Sequence, residues 1–344
     1  MPLTAVSPAL PRATGFLTVG LDVGGTKTAC VVTDEHDQVL HHEVLATDTA
    51  RLPSQLSEII KNAVERFADG TDSTVGAIGI ALPGHVEPES GTIRLAVNLG
   101  GADGAPLALG PMLSESVGLP CYVEHDARAA ASWIGLTGGA APDAPPEDLA
   151  YLSVGTGISA GIMLGGRVLR GANGFAGEVG HVSADPGDGR CACGLIGCLE
   201  HITAGPAIAR AAREAVASGR ATTLNSDATP TDVFRAARAG DALACELATS
   251  FAERLARAIR ALVLTLGVSY VVIGGGVAGA GEALLQPVLE AIGKERKASP
   301  LVEAAFAGTR VEILPPHLEA GARGAAAIAR QRVLEGQRKG VVER

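Results

Sequence analysis

Twice along this chain an apolar run breaks at a turn of glycine and threonine and then resumes. Residues 17–21 pass through Asp22-Val23-Gly24-Gly25-Thr26-Lys27 into residues 28–32, and residues 149–164 repeat the pattern around Gly155-Thr156-Gly157. Two strand-like runs flanking a tight glycine turn form a hairpin, and its recurrence points to two related halves. Further strand-like runs at 75–82, 120–123, 270–273 and 312–314 alternate with helix-period stretches at 52–67, 127–134, 206–218, 231–266 and 320–334. Leu52, Leu56, Ile59, Ile60, Ala63, Val64 and Phe67 fall on one helix face. Such alternation predicts an α/β architecture. Residues 138–148, GGAAPDAPPED, have no period and read as a surface loop.

Paired glycine turns have a chemistry. A phosphate chain needs several backbone N–H groups converging on it, and only glycine lets the backbone come close enough. Thr26 and Thr156 add hydroxyl donors, Lys27 adds a cation, and Asp22 is suited to a hydrated Mg²⁺ on phosphate oxygens. Taken singly, each turn reads equally as an ordinary tight hairpin. The spacing is neither a Walker A loop nor a dinucleotide fingerprint. Gly274-Gly275-Gly276 closes a strand and offers either a flat backbone surface for a base or ribose, or a simple strand-end turn.

His181, Cys191, Cys193 and Cys198 make H-x9-C-x-C-x4-C, with Gly194 and Gly197 allowing a tight loop. Three thiolates and an imidazole suit tetrahedral Zn²⁺, and with no position left open the site reads as structural. The remaining cysteines, Cys30, Cys121 and Cys245, are isolated and expected in the core. Six cysteines so distributed in a long chain fit a reducing cytoplasm, not a disulfide framework.

Among the acids, Asp126 stands at an expected strand-to-helix junction, where a carboxylate can accept a proton from a hydroxyl; a plain helix N-cap is the commoner role there. Glu178 and Glu200 flank the cysteine cluster, and Asn98 follows a glycine-flanked loop as a hydroxyl binder or a turn residue.

Composition narrows the partners. With 28 Lys+Arg against 37 Asp+Glu, a net charge of −9 argues against gripping nucleic acid or an anionic membrane. The most apolar window, 261–276, is too short and glycine-rich to span a bilayer. Residues 1–16, broken by Pro2, Pro8 and Pro11, read as a flexible tail.

In order along the chain stand DVGGTK at 22–27, ALPGHVEPESG at 81–91 with Asn98-Leu99, EHDA at 124–127, VGTGISAG at 154–161, GANGFAGEVGH at 171–181 and CACGLIGCLEH at 191–201. This series resembles the ROK sugar kinases, whose best-known members are bacterial glucokinases. The resemblance implies an α/β, two-domain actin-like ATPase (ribonuclease H-like) fold with a structural zinc loop. It divides the chain into the tail, a small domain over 17–127 plus 318–340, and a large domain over 128–317 carrying loop 181–198.

By the same resemblance, Asp22, Gly24, Gly25, Thr26 and Lys27 clamp the ATP phosphates together with Gly155, Thr156 and Gly157, with Mg²⁺ as cofactor. Gly274, Gly275 and Gly276 lie near the adenosine. Asn98, His125, Asp126, Glu178, His181 and Glu200 match sugar-site positions, His181 ligating zinc through one nitrogen and facing the sugar through the other. Asp126 matches the base that deprotonates a primary hydroxyl of a glucose-like ring. A cytoplasmic homodimer or homotetramer is expected, with a small sugar as its partner.

Two departures bear on the substrate. His125 stands where the family commonly has Asn, and Asn98-Leu99 is followed by Gly100-Gly101-Ala102-Asp103 where an aromatic is usual. Both fall on the sugar side, which admits an aminohexose or a C7 cyclitol of the valiolone or valienone type. A sugar-sensing repressor of the same family would carry a winged helix-turn-helix before the first hairpin. The roughly 20 residues before Asp22 are proline-broken, so a kinase is expected.

Overall fold

The computed structural model describes residues 15–67, 74–96, 99, 105–139, 146–184, 187 and 189–342. Most of the proline-rich leading segment (1–14), Asn98 and the centre of the 138–148 loop (140–145) lie outside the described residues. The chain forms two compact units, one of residues 1–136 and 319–344, the other of residues 137–318. The boundary between the units falls at 136/137, at the end of the helix Asp126–Thr137.

The first unit is built on a five-stranded sheet. Its strands are β1 (Leu17–Val23), β2 (Lys27–Thr33), β3 (Val39–Ala46), β4 (Val75–Leu82) and, after the small ribbon of β5 (His85–Glu87) and β6 (Thr92–Arg94), β7 (Cys121–His125). The order is β3-β2-β1-β4-β7, with β1, β2 and β3 antiparallel in sequence and β4 and β7 parallel to β1.

The second unit repeats this plan strand for strand. β8 (Leu149–Val154), β9 (Ile158–Leu164), β10 (Arg167–Val168), β11 (Tyr270–Gly274) and β12 (Arg310–Ile313) take the order β10-β9-β8-β11-β12 with the same directions. The glycine-turn hairpin recognised twice in the sequence is thus the opening pair of strands of each sheet.

Alternation along β1 explains how its sheet is covered. Leu17, Val19, Leu21 and Val23 share a core with Leu52, Leu56, Ile59 and Ile60 of the helix Leu52–Arg66. The opposite face carries Thr18, Gly20 and Asp22, a row too small to hold a second layer at ordinary distance. There the helix Ala320–Val342 lies almost on the backbone. A Cβ on Gly20 would overlap the Ala322 carbonyl, and one on Gly79 would overlap that of Ala325. Arg330 fastens the same helix by donating to Thr18 Oγ1 (3.0 Å) and Thr33 Oγ1 (3.1 Å). Arg323 pairs with Asp37 and stacks 4.6 Å over the Trp133 ring.

In the second unit the long helix Ala242–Leu266 supplies much of the core, including Phe251 against Phe234, edge to face at 5.4 Å. The helix expected over 231–266 is two helices, Pro230–Arg238 and Ala242–Leu266. Gly240 turns the chain at φ +91°, and Asp241 restarts it as an N-cap that accepts from the Ala244 amide (2.9 Å). Cys30 and Cys121 are buried as expected, but Cys245 is exposed, since 243, 244 and 248 are the inward positions of that helix. Among the described residues no helix is long and apolar enough to cross a membrane.

Candidate active site

In the first unit, parallel pairing sets Asp22 beside Ala81 and Ala81 beside Glu124. Asp126 follows two residues later as the first residue of its helix. Burial pushes the Asp22 carboxyl up to about 7, helped by the negative charges of Asp126 and Glu319 and opposed by Lys27. The chain makes room for that carboxylate with a glycine: a Cβ at Gly321 would strike it. The negative charge that Asp126 and Glu319 add around Asp22 favours a cation there. Gly24, whose amide donates to the Lys27 carbonyl (2.9 Å), opens a turn that leaves Gly25, Thr26 and Lys27 exposed.

Asp126 is held by one oxygen. Its Oδ1 accepts from the Ala127 amide at 2.6 Å and lies 3.1 Å from Nδ1 of the buried His125. Oδ2 makes no hydrogen bond to the described residues. Beneath it, Glu124 and Arg128 form an ion pair sealed from solvent, with Nε donating to Oε1 at 2.8 Å. The same Oε1 accepts from the His125 amide at 2.9 Å, which fixes the backbone that presents the acid. Glu124 and Arg128 support the site without a motif of their own; their i,i+4 spacing is the one signal of them in the sequence.

The raised carboxyl carries a stability signature. Asp22 binds its proton more tightly folded (about 7) than at its unfolded value of 3.8, so the folded state holds extra protons in that window. Stability is then lost as pH climbs through it. In the ligand-free protein, Asp22→Asn removes that slope. The variant is expected to exceed wild type by about 1–3 kcal/mol above neutral pH and to match it at acid pH below the unfolded value. Urea melts at the two pH values check this, and parallel curves would refute it.

In the second unit, two of the glycine clusters come together. The Gly155 amide donates to the Gly157 carbonyl (2.9 Å), and the Gly155 carbonyl accepts from Gly205 (2.8 Å), which begins the helix Gly205–Ala217. Gly275, at φ +81°, packs so closely on Val154 that its backbone excludes a Cβ, and Gly276 lies against Gly155. A hairpin turn, a strand end and a helix start thus meet at one spot.

The cysteine loop closes on itself. The ligand atoms of His181, Cys191, Cys193 and Cys198 lie within 4.8 Å of one another. Cys193 Sγ is 3.6 Å from Cys198 Sγ, and Cys191 Sγ is 3.9 Å from His181 Nδ1. Sulfurs at about 2.3 Å around a tetrahedral ion stand about 3.8 Å apart, so the spacing fits zinc. Burial and the neighbouring thiols push Cys198 up to about 12, whereas the Leu195 amide lowers Cys193.

The remaining expected sugar-site residues distribute as follows. His125 and Asp126 belong to the first unit; Glu178, His181 and Glu200 belong to the second; Asn98 lies outside the described residues. Glu178 precedes the short turn Val179–His181. Glu200 is already engaged, accepting from the Ile158 amide at 2.9 Å.

A family model described as ROK family matches residues 18–332. A glucokinase of Halalkalibacterium halodurans is 34% identical over 283 residues, covering 78% of this chain and 83% of that protein. A xylose repressor of Caldicellulosiruptor bescii is 31% identical over 286 residues, covering 80% and 69% respectively. A crystal structure of a ROK family glucokinase from Streptomyces griseus with glucose and AMPPNP superposes with a TM-score of 0.73 at 30% identity, covering 92% of this chain and 99% of that one.

Proposed function

The chain belongs to the ROK family, and from that premise we propose that it is an ATP-dependent kinase acting on a primary hydroxyl of a glucose-like ring. The observation that carries the proposal is the pairing of Asp126, with one oxygen anchored and the other unengaged, with Asp22, whose charge its neighbours resist. One carboxylate suits a proton, the other a cation.

In this reading Asp126 Oδ2 accepts the proton of the attacking hydroxyl, while the Ala127 amide and His125 hold Oδ1 and so aim it. The amides of the two glycine turns other than those of Gly24 and Gly155, which are already bonded, are assigned to phosphate oxygens, and Lys27 adds positive charge. Backbone around Gly274–Gly276 takes the adenosine. Asp22 would hold Mg²⁺, which when bound neutralises charge on the phosphates. His181, Cys191, Cys193 and Cys198 would hold a structural Zn²⁺ that gives shape to a glycine-rich loop. Most of the rate gain comes from alignment and charge neutralisation, because a loose phosphoryl transition state asks for little else. The reduced thiols that zinc requires suit a cytoplasmic location.

His125 favours a second reading of the acceptor, an aminohexose or a C7 cyclitol. Its imidazole is committed to Asp126, so it presents to the ring a bulkier edge than an amide would. ATP consumption by the purified protein with hexoses, aminohexoses and cyclitols, with NMR assignment of the phosphorylated carbon, decides between them. Absence of turnover on all three classes defeats the kinase proposal and leaves a sugar-responsive regulator.

A further inference from the structure

We propose that Glu200 is a positioning residue for the phosphate-binding turn, through which the cysteine loop sets how tightly the second unit holds a nucleotide. This rests on the reading of Gly155–Gly157 as a nucleotide turn, and it gives Glu200 a task other than contacting sugar.

Glu200 sits in the short helix Leu199–Thr203, two residues beyond Cys198. Its Oε2 accepts from the amide of Ile158, the first residue of β9 and the one that leaves the turn, at 2.9 Å. A Cβ on Gly157 would stand 2.5 Å from that same oxygen, so the carboxylate fills the space beside the turn. The other oxygen, Oε1, lies 3.9 Å from Cys191 Sγ. A single side chain therefore touches the turn with one oxygen and a candidate metal ligand with the other.

The surrounding backbone tightens the link. The Ala160 amide donates to the Gly177 carbonyl at 2.7 Å, and Gly180 has no space for a Cβ because the Ile158 carbonyl occupies it. Cys198 pairs with Ser183 in an isolated bridge, and the Leu199 amide donates to the Val182 carbonyl at 3.1 Å. The segments on both sides of the cysteines are thus laced either to β9 or to each other. When the loop is held closed, Glu200 is placed to receive the Ile158 amide. When the loop opens, that amide loses a charged acceptor, and such bonds are the stronger kind. The turn beside it then loses one of the contacts that fix its geometry.

The test follows three quantities in the zinc-loaded full chain: hydrogen exchange at the Ile158 amide, affinity for AMPPNP, and zinc content. Glu200→Ala is expected to weaken AMPPNP about tenfold with zinc retained. Glu200→Gln, whose amide oxygen still accepts, is expected to stay within about threefold of wild type. Chelating zinc from the wild type should speed exchange at Ile158 and weaken AMPPNP. Unchanged AMPPNP affinity in Glu200→Ala, with only sugar affinity reduced, overturns the proposal. Should that variant lose its zinc or its fold, the wild-type exchange decides, and an Ile158 amide indifferent to chelation overturns it equally. A wild type that binds no adenine nucleotide defeats the kinase reading instead, and the exchange result still judges the coupling.

Discussion

Asp126→Asn is expected to lower turnover by about 10²–10⁴-fold while nucleotide and sugar still bind. The amide side chain is nearly isosteric, and its oxygen can still accept from the Ala127 amide, as Oδ1 does at 2.6 Å. The helix start and the buried Glu124–Arg128 pair below should therefore survive the change. What disappears is the basic oxygen. Calorimetric titration with sugar and with AMPPNP, set beside a steady-state rate, separates the two effects: binding within about threefold and a collapsed rate support the base. A variant that turns over at more than about a tenth of the wild-type rate would assign the proton to another group.

Cys198→Ser is expected to release the metal and to cost the second unit several kcal/mol, on the order of a 10 °C fall in Tm. Cys198 is the most sheltered of the four ligands, 1% exposed, and 3.6 Å from Cys193 Sγ. Serine there supplies a poor ligand inside a loop with few apolar contacts to fall back on. The matched control is Cys245→Ser, an exposed cysteine on the helix Ala242–Leu266, which should leave both metal content and Tm unchanged. Equal metal content in the two variants would remove the zinc assignment.

Residues whose environment is local were legible in the sequence. The helix at 52–66 declared itself through one apolar face, the strand at 75–82 through an unbroken apolar run, and the four ligands of the cysteine loop through spacing. What escaped depended on contacts that spacing does not encode. Strand β3 is an exposed edge, and its sequence VLHHEVLA has no buried face to impose alternation. The helix Glu282–Ala298 carries Pro287 in its interior, which reads as a break until the packing of Leu284, Val288 and Ile292 is known. Residue type alone places Cys245 in the core, whereas its helix turns it outward. At the site, Asp126 was legible as a candidate, but its anchoring by His125 and the role of Glu200 at Ile158 are products of three-dimensional neighbours.

The helix that roofs β1 and β4 through Gly20 and Gly79 comes from residues 320–342, far downstream of the strands beneath it. During synthesis, this sheet therefore waits for a helix made much later before it can be sealed. Until then its small-residue face stays open to water, and Asp22 has neither Gly321 above it nor Glu319 beside it. The first unit is thus completed only after the continuous segment 137–318 has been made.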